Sequence, residues 1–386
     1  MTWPTKKLGD VCDFERGTEP GSKSYNRENE GVPFIRVGNI AAQIQEQIYT
    51  TSRNIKLCDE NDILLTLDGS PGIVARGFKG AHSSGIRKVI VKKPDELLKD
   101  FVYFVLQTDF VQEIIEKYTT GMTIKHASKS LEHIQIPLPS LPEQKKIVYV
   151  LDSIQEVIRV QEKIIEKTKE LKKTLLNEIF NSKIKNQKWI KLGDEKYFEI
   201  KLGGTPRTNK ADYWSGKIYW ITPNDLNKLS SPYITRTERK ITEKGLKTGS
   251  TLLSAKSIIL STRAPIGYLA ILNEDMAFNQ GCKGIIIKKP DEIFNLYLFY
   301  YLTTQVNKLK DWGSGSTFRE LSTSGLKQFS IPLIDIKKQR EIAEILQTID
   351  QKIEIEQKKK ALYEELFKAM LNKLMNGEIK VDNLKL

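Results

Sequence analysis

Short loops that mix glycine, hydroxyl residues and cations carry the most chemistry in this sequence. Arg16-Gly17-Thr18, Lys23 and Arg36 begin the series, and Arg76-Gly77-Phe78-Lys79 and Gly121-Met122-Thr123-Ile124-Lys125-His126 continue it. A second series runs through Gly203-Gly204-Thr205-Pro206-Arg207, Arg236, Arg239, Arg263, Lys283 and Gly313-Ser314-Gly315-Ser316-Thr317-Phe318-Arg319. Glycine lets the main chain come close to a partner and frees N–H groups for phosphate oxygens. Arg and Lys pair with phosphates or with the O6/N7 edge of guanine. The candidate nucleic-acid contacts are therefore Arg16, Thr18, Lys23, Arg36, Arg76, Lys79, Thr123 and Lys125 in the first series. In the second they are Thr205, Arg207, Arg236, Arg239, Arg263, Lys283, Thr317 and Arg319. Taken singly, each such loop also reads as an ordinary solvated turn.

Groups that could make or break bonds are not arranged for it. All three histidines (His82, His126, His133) fall in the first half of the chain. The sequence has neither a GxxxxGK[ST] phosphate loop nor a GxGxxG after a strand. An Asn/Asp-Pro-Pro-aromatic motif of the kind that holds a flipped base is also missing. The nearest string, Thr222-Pro223-Asn224-Asp225, lacks the second proline and the aromatic. Asp62, Asp68 and Asp225 are isolated carboxylates with ordinary capping or solvated readings. Cys12, Cys58 and Cys282 are odd in number and far apart, without a CxxC pair, which excludes a disulfide framework and a zinc ribbon and fits a reducing cytosol. The first residues lead into no apolar signal region, and no apolar run reaches membrane-spanning length. The expectation is a cytoplasmic, non-catalytic chain with no metal and no cofactor of its own.

The loops gain meaning from the elements that hold them, because the chain repeats itself. Trp3-Pro4-Thr5-Lys6-Lys7-Leu8-Gly9-Asp10 returns as Trp189-Ile190-Lys191-Leu192-Gly193-Asp194, and Arg16-Gly17-Thr18-Glu19-Pro20 as Gly203-Gly204-Thr205-Pro206-Arg207. Ile63-Leu64-Leu65-Thr66, Gly72-Ile73-Val74-Ala75 and Leu131 to Leu138 return 195 residues later at Ile258, Gly267 and Leu326. Since a catalytic set shared by both copies would have to appear twice, the one-sided histidines rule out a shared His-based mechanism. Each copy opens with β-branched and aromatic runs such as Phe34-Ile35-Arg36-Val37 and Lys88-Val89-Ile90-Val91, with a helical stretch near 101–116. This reads as a mixed α/β globule.

Each copy then enters a stretch without Pro or Gly. Ile147, Leu151, Ile154, Ile158 and Ile165 recur at coiled-coil steps in the first, and Ile342, Leu346, Ile349, Ile353, Tyr363, Phe367, Met370 and Leu374 in the second. Gln161, Thr168, Glu356 and Lys360 interrupt the seam, either as a solvated stretch or as polar residues that fix register. Neither helix can bury its stripe alone, so the two are expected to pair antiparallel. The fold expected is α+β: two similar mixed α/β domains (1–141 and 187–336) bridged by two long helices (142–186 and 337–386), with a pseudo-twofold internal repeat.

Lys and Arg outnumber Asp and Glu by 61 to 48, a formal net charge of +13. This surplus suits a phosphate backbone, since each phosphate neutralised releases counterions. The ordered motifs resemble the specificity subunit of Type I restriction–modification systems. They comprise Lys7-Leu8-Gly9, Arg16-Gly17-Thr18, Gly121-Met122-Thr123 and Ile136-Pro137-Leu138-Pro139-Ser140-Leu141-Pro142-Glu143-Gln144, then Lys191-Leu192-Gly193, Gly204-Thr205-Pro206, Gly315-Ser316-Thr317-Phe318, Ile331-Pro332-Leu333 and Gln339. The second helix start, Ile334-Asp335-Ile336-Lys337-Lys338-Gln339, departs from the Pro-x-x-Glu-Gln of the first.

The resemblance implies two target recognition domains, each reading half of a split site in double-stranded DNA. It further implies docking of two modification subunits, which bring S-adenosylmethionine and adenine methylation, and of ATP-driven restriction (motor–nuclease) subunits through the complex, in host defence. Two other functions stay open on the residues alone: the recognition part of an autonomous DNA methyltransferase, or a non-catalytic coiled-coil scaffold for protein partners.

Overall fold

A computed structural model describes residues 3–44, 46–182, 187–314 and 319–381. The chain divides into two compact units, Met1–Gln161 with Lys359–Leu386, and Glu162–Lys358. Each unit joins one mixed α/β domain to a segment of both long helices, Leu141–Asn177 and Ile336–Met375. The start of one helix and the end of the other share a unit, so the helices pair antiparallel.

In the first unit, one sheet runs in the order Tyr25–Asn26, Ile48–Thr50, Val32–Ile35, Gly80–His82, Leu57–Cys58; the other runs Cys12–Arg16, Ile86–Val91, Ile63–Thr66, Val74–Ala75. The second unit repeats the plan with Arg239–Ile241, Trp214–Ile221, Met276–Phe278, Thr251–Leu253, and with Phe198–Leu202, Cys282–Ile287, Ile258–Thr262, Ile266–Leu272, Tyr233–Ile234. The registers correspond: Ile63 faces Val89 as Ile258 faces Ile285, and His82 lies parallel to Ile35 as Phe278 does to Ile221.

Ile63-Leu64-Leu65-Thr66 and Ile258-Ile259-Leu260-Ser261-Thr262 are unbroken runs because these strands are buried on both faces. Successive side chains point to opposite sides, so Ile258 and Leu260 enter the core that includes the helices while Ile259 enters a smaller core with Ile221 and Phe278. The repeated Lys-Leu-Gly and Ile-Pro-Leu motifs explain one another. Thr5–Lys7 pairs with Gln135–Pro137 and Lys188–Lys191 with Ser330–Leu333, while the Leu8 and Leu192 amides donate to the Ile134 and Phe329 carbonyls, each at 2.9 Å. The ends of each domain are thereby tied together where its long helix begins.

Each helix is fixed to its own domain by a buried glutamine. Gln144 Oε1 accepts from the Leu98 amide at 2.8 Å, and its Nε2 donates to the Glu96 and Pro139 carbonyls, each at 2.9 Å. Gln339 does the same with the Phe294 amide (2.9 Å) and the Glu292 and Ile334 carbonyls (2.8 and 2.9 Å). The departure at the second helix start is confined to the cap. Glu143 accepts from the Ser140 amide and hydroxyl, whereas Asp335 accepts from the Lys337 and Lys338 amides.

Two expectations are refined. The helical stretch near 101–116 is two helices, Lys99–Val105 and Asp109–Lys117, because the Thr108 hydroxyl bonds back to the Val105 carbonyl at 2.6 Å. The coiled-coil stripes also bury against the domains: Ile147, Leu151, Leu371, Leu374 and Met375 share one core with Phe101 and Phe104, and Ala343 and Leu346 share another with Tyr297 and Tyr300. At the polar interruption Glu356 is buried, and Gln161, Thr168 and Lys360 are half-buried, so the stretch is not simply solvated.

Candidate DNA-recognition loops

The first domain laces its opening loop to the end of strand Gly80–His82. The Thr18 amide donates to the His82 carbonyl at 3.1 Å, and Thr18 Oγ1 to the Asn54 carbonyl at 3.2 Å. Glu19 accepts from the Ser84 amide and hydroxyl and from the Tyr25 hydroxyl. A side chain at Gly17 would put its Cβ 2.2 Å from the His82 carbonyl oxygen, so only glycine permits this approach. Gly203 has the same role, 2.1 Å from the Asn279 oxygen, and the Gly204 amide bonds the Phe278 carbonyl as Thr18 does His82. Matching by letters puts Gly17 opposite Gly204; the hydrogen bonds put it opposite Gly203.

Arg16 and Lys23 project from this loop exposed, with Arg16 Nε reaching the Ser84 carbonyl at 3.2 Å. Arg36 is half-buried, and its Nη2 holds the Glu46 carbonyl at 3.1 Å. Lys79, Thr123 and Lys125 are exposed. Arg76 stands elsewhere: it pairs with Asp100 (3.1 Å) and Asp152 (2.6 Å) and lies 4.3 Å over the Tyr103 ring, clamping the domain to its helix.

In the second domain Thr205 bonds Gln280, and Arg207 is exposed, with its carbonyl accepting from Trp214 Nε1 at 3.2 Å. Arg239 stacks 3.7 Å over the Trp214 ring, which meets Trp220 edge-on. Arg236 and Arg319 are exposed. Lys283 is 3% exposed and donates to Thr262 Oγ1 (3.1 Å) and the Leu321 carbonyl (2.7 Å), so it braces the scaffold; burial pushes its ammonium pKa down. Thr317 lies outside the described residues.

The register exposes a feature that residue types alone did not. Arg87, opposite Leu65, and Lys283, opposite Leu260, are equivalent buried cations. In the first domain Asp68 meets Arg87 at 3.5 Å and His126 Nδ1 at 2.7 Å; in the second Glu320 meets Lys283 at 3.7 Å and Arg263 at 4.0 Å. The bridge His126–Asp68 matches the bridge Glu320–Arg263, so the carboxylate and its outer partner have exchanged strands. The separation of 195 already aligns Asp68 with Arg263, a signal available before folding. Cys12, Cys58 and Cys282 are buried free thiols whose pKa burial raises, to about 12, 11 and 12. Among the described residues no His, Cys, Asp and Glu cluster could hold a metal, and no helix is long and apolar enough to cross a membrane.

Comparison with known proteins accounts for the doubled plan. The family model of the Type I restriction modification DNA specificity domain matches residues 1–170 and again 185–365. The MjaVIII specificity subunit of Methanocaldococcus jannaschii is 27% identical over 99% of this chain and 94% of its own. The MjaIX specificity subunit of the same organism is 42% identical over 44% of this chain and 40% of its own. Among solved structures, the Type I S subunit from M. genitalium has a TM-score of 0.61 at 19% identity, over 97% of this chain and 96% of that one. A chain from work on assembly and conformational transition of the type I R-M system reaches 0.63 at 19%, over 98% of each. These two likenesses show a common fold. With the family matched in both halves, and a bracing cation, a glycine approach and a glutamine clamp repeated in each, the chain belongs to the Type I restriction modification DNA specificity family.

Proposed function

We propose that this chain is the DNA-recognition subunit of a Type I restriction–modification complex, non-catalytic itself, in which each mixed α/β domain reads one half of a bipartite site. The observation that carries this reading is a common frame with unlike contents. Gly17 and Gly203 hold equivalent loops, yet Asp68 stands where Arg263 does and His82 where Phe278 does. Two readers of different base sequences require that combination. The proposed contacts are the exposed or half-buried Arg16, Thr18, Lys23, Arg36, Lys79, Thr123, Lys125, Thr205, Arg207, Arg236, Arg239, Arg263 and Arg319, with Thr317. Arg76 and Lys283 serve the scaffold that holds them.

Members of this family work with methyltransferase and restriction subunits; two modification subunits per chain is our reading of the helices. Val160 and Ile355 are equivalent in the repeat, as are Leu171 and Leu366, and all four are exposed. The first unit thus offers Val160 and Leu366, and the second offers Ile355 and Leu171: the same apolar pair, suited to two copies of one partner. Cytoplasmic placement belongs to this reading, with three free thiols in keeping.

The test is expression with the modification partner, followed by mapping of methylated adenines. A two-part motif with a fixed spacer is the expected result. Methyl transfer or S-adenosylmethionine binding by the isolated chain would replace this reading with an autonomous methyltransferase. Salt-independent indifference to duplex DNA in the complex would replace it with a scaffold.

A further inference from the structure

In the second unit a recess of about 600 Å³ opens beside the loop after strand Ile258–Thr262, and three cations line it: Arg263, Lys310 and Arg319. Glu320 is the one carboxylate among its described lining residues. Glu320 is largely spoken for, since the buried Lys283 lies 3.7 Å away and Arg263 stands at 4.0 Å, the outer limit of an ion pair. Lys310 and Arg319 are exposed and have no ion-pair partner among the described residues. Three cations therefore line the recess beside one carboxylate that the buried Lys283 already meets, a surplus of two positive charges in the concave wall itself. Such a wall concentrates field lines and selects an anion. Arg263 packs against Gly281, where a Cβ would lie 3.4 Å from Arg263 Nε. The first unit is built differently at the equivalent position, where Asp68 is held by His126 and Arg87. The surplus belongs to the second unit.

We propose that this recess seats a phosphodiester of duplex DNA and anchors the second unit on its half-site without reading a base. The inference rests on the DNA-recognition reading above. Guanidinium and ammonium groups suit phosphate oxygens. A contact of this kind adds affinity on any sequence and steepens the dependence on salt.

The experiment uses the full chain in complex with its modification partner. Lys310→Ala with Arg319→Ala is compared with wild type and with the charge-matched Lys247→Ala with Lys289→Ala, two exposed lysines that do not line the recess. Binding to a duplex bearing the methylated motif and to an unrelated duplex is measured over a range of salt. The expected result is about tenfold weaker binding to both duplexes and a log–log salt slope shallower by about one to two. The methylated motif should be unchanged and the control pair close to wild type. A loss confined to the cognate duplex, an unchanged slope, or an equal loss in the control pair overturns the proposal. A thermal shift with inorganic phosphate separates the possible sources of the anion. Stabilisation that vanishes in the variant, alongside unaltered DNA binding, would make the recess a small-anion site and overturn the DNA anchor. A wild-type complex that does not prefer its motif to unrelated DNA would sink the functional reading itself; normal preference with an unchanged slope sinks only the recess.

Discussion

His82 and Phe278 occupy the same place in the two sheets, and the exchange has a consequence for acid stability. His82 is fully buried, and burial holds its imidazole pKa below the usual 6.5. The folded chain therefore keeps it neutral, while the unfolded chain takes up a proton first as pH falls. Its contribution is complete above the unfolded pKa and is lost as pH falls through the folded one. His82→Phe, which installs the residue of the second domain, should flatten the fall in urea midpoint between about pH 7 and pH 5. An equally steep fall in the variant would place the acid sensitivity elsewhere. Gln144 and Gln339 give a second test at this scale. Each side chain is buried and satisfies one amide and two carbonyls, so Gln→Ala at either should cost about 3 kcal/mol by urea unfolding, most of it from the partners left behind. Both glutamines stand in motifs visible in the sequence. Their three-bond clamp was not visible, because two of the three partners of each sit more than forty residues away in the chain.

The helices were the most legible elements, since a four-three spacing of Ile and Leu survives any detail of packing. What the spacing could not give was the partner surface. Leu151 and Leu346 read as coiled-coil positions, yet both sink into cores shared with the α/β domains. Leu151→Ala and Leu346→Ala should each cost about 2–5 kcal/mol, a cavity cost, where an exposed residue of the second helix such as Leu362 should cost far less. The cap is a local matter by comparison: Asp335→Ala should cost about 1 kcal/mol and leave recognition untouched. The strands were legible as apolar runs, but their pairing was not, because the parallel contact of Val32–Ile35 with Gly80–His82 joins segments far apart in sequence. The candidate site was legible as a set of loops and not as a geometry. Arg76 and Lys283 have the residue type of a contact, but the fold assigns them to Asp152 and to the Leu321 carbonyl.

At the scale of the whole chain, the repeat divides the labour between two domains that share a frame and differ in charge. The helices add a length: a seven-residue insertion in both, near Thr168 and near Tyr363, keeps the seams in phase and adds about 10 Å at about 1.5 Å per residue. The methylated motif should keep its half-site bases and gain about three base pairs of spacer, or activity should be lost. Altered bases with a fixed spacer would contradict that role. The central claim, one domain for one half-site, is tested most directly by exchanging residues 187–336 for those of a relative of different specificity and sequencing the methylated motif made with the modification partner. The account predicts a new second half-site beside an unchanged first one; a change in both halves, or in neither, would contradict it.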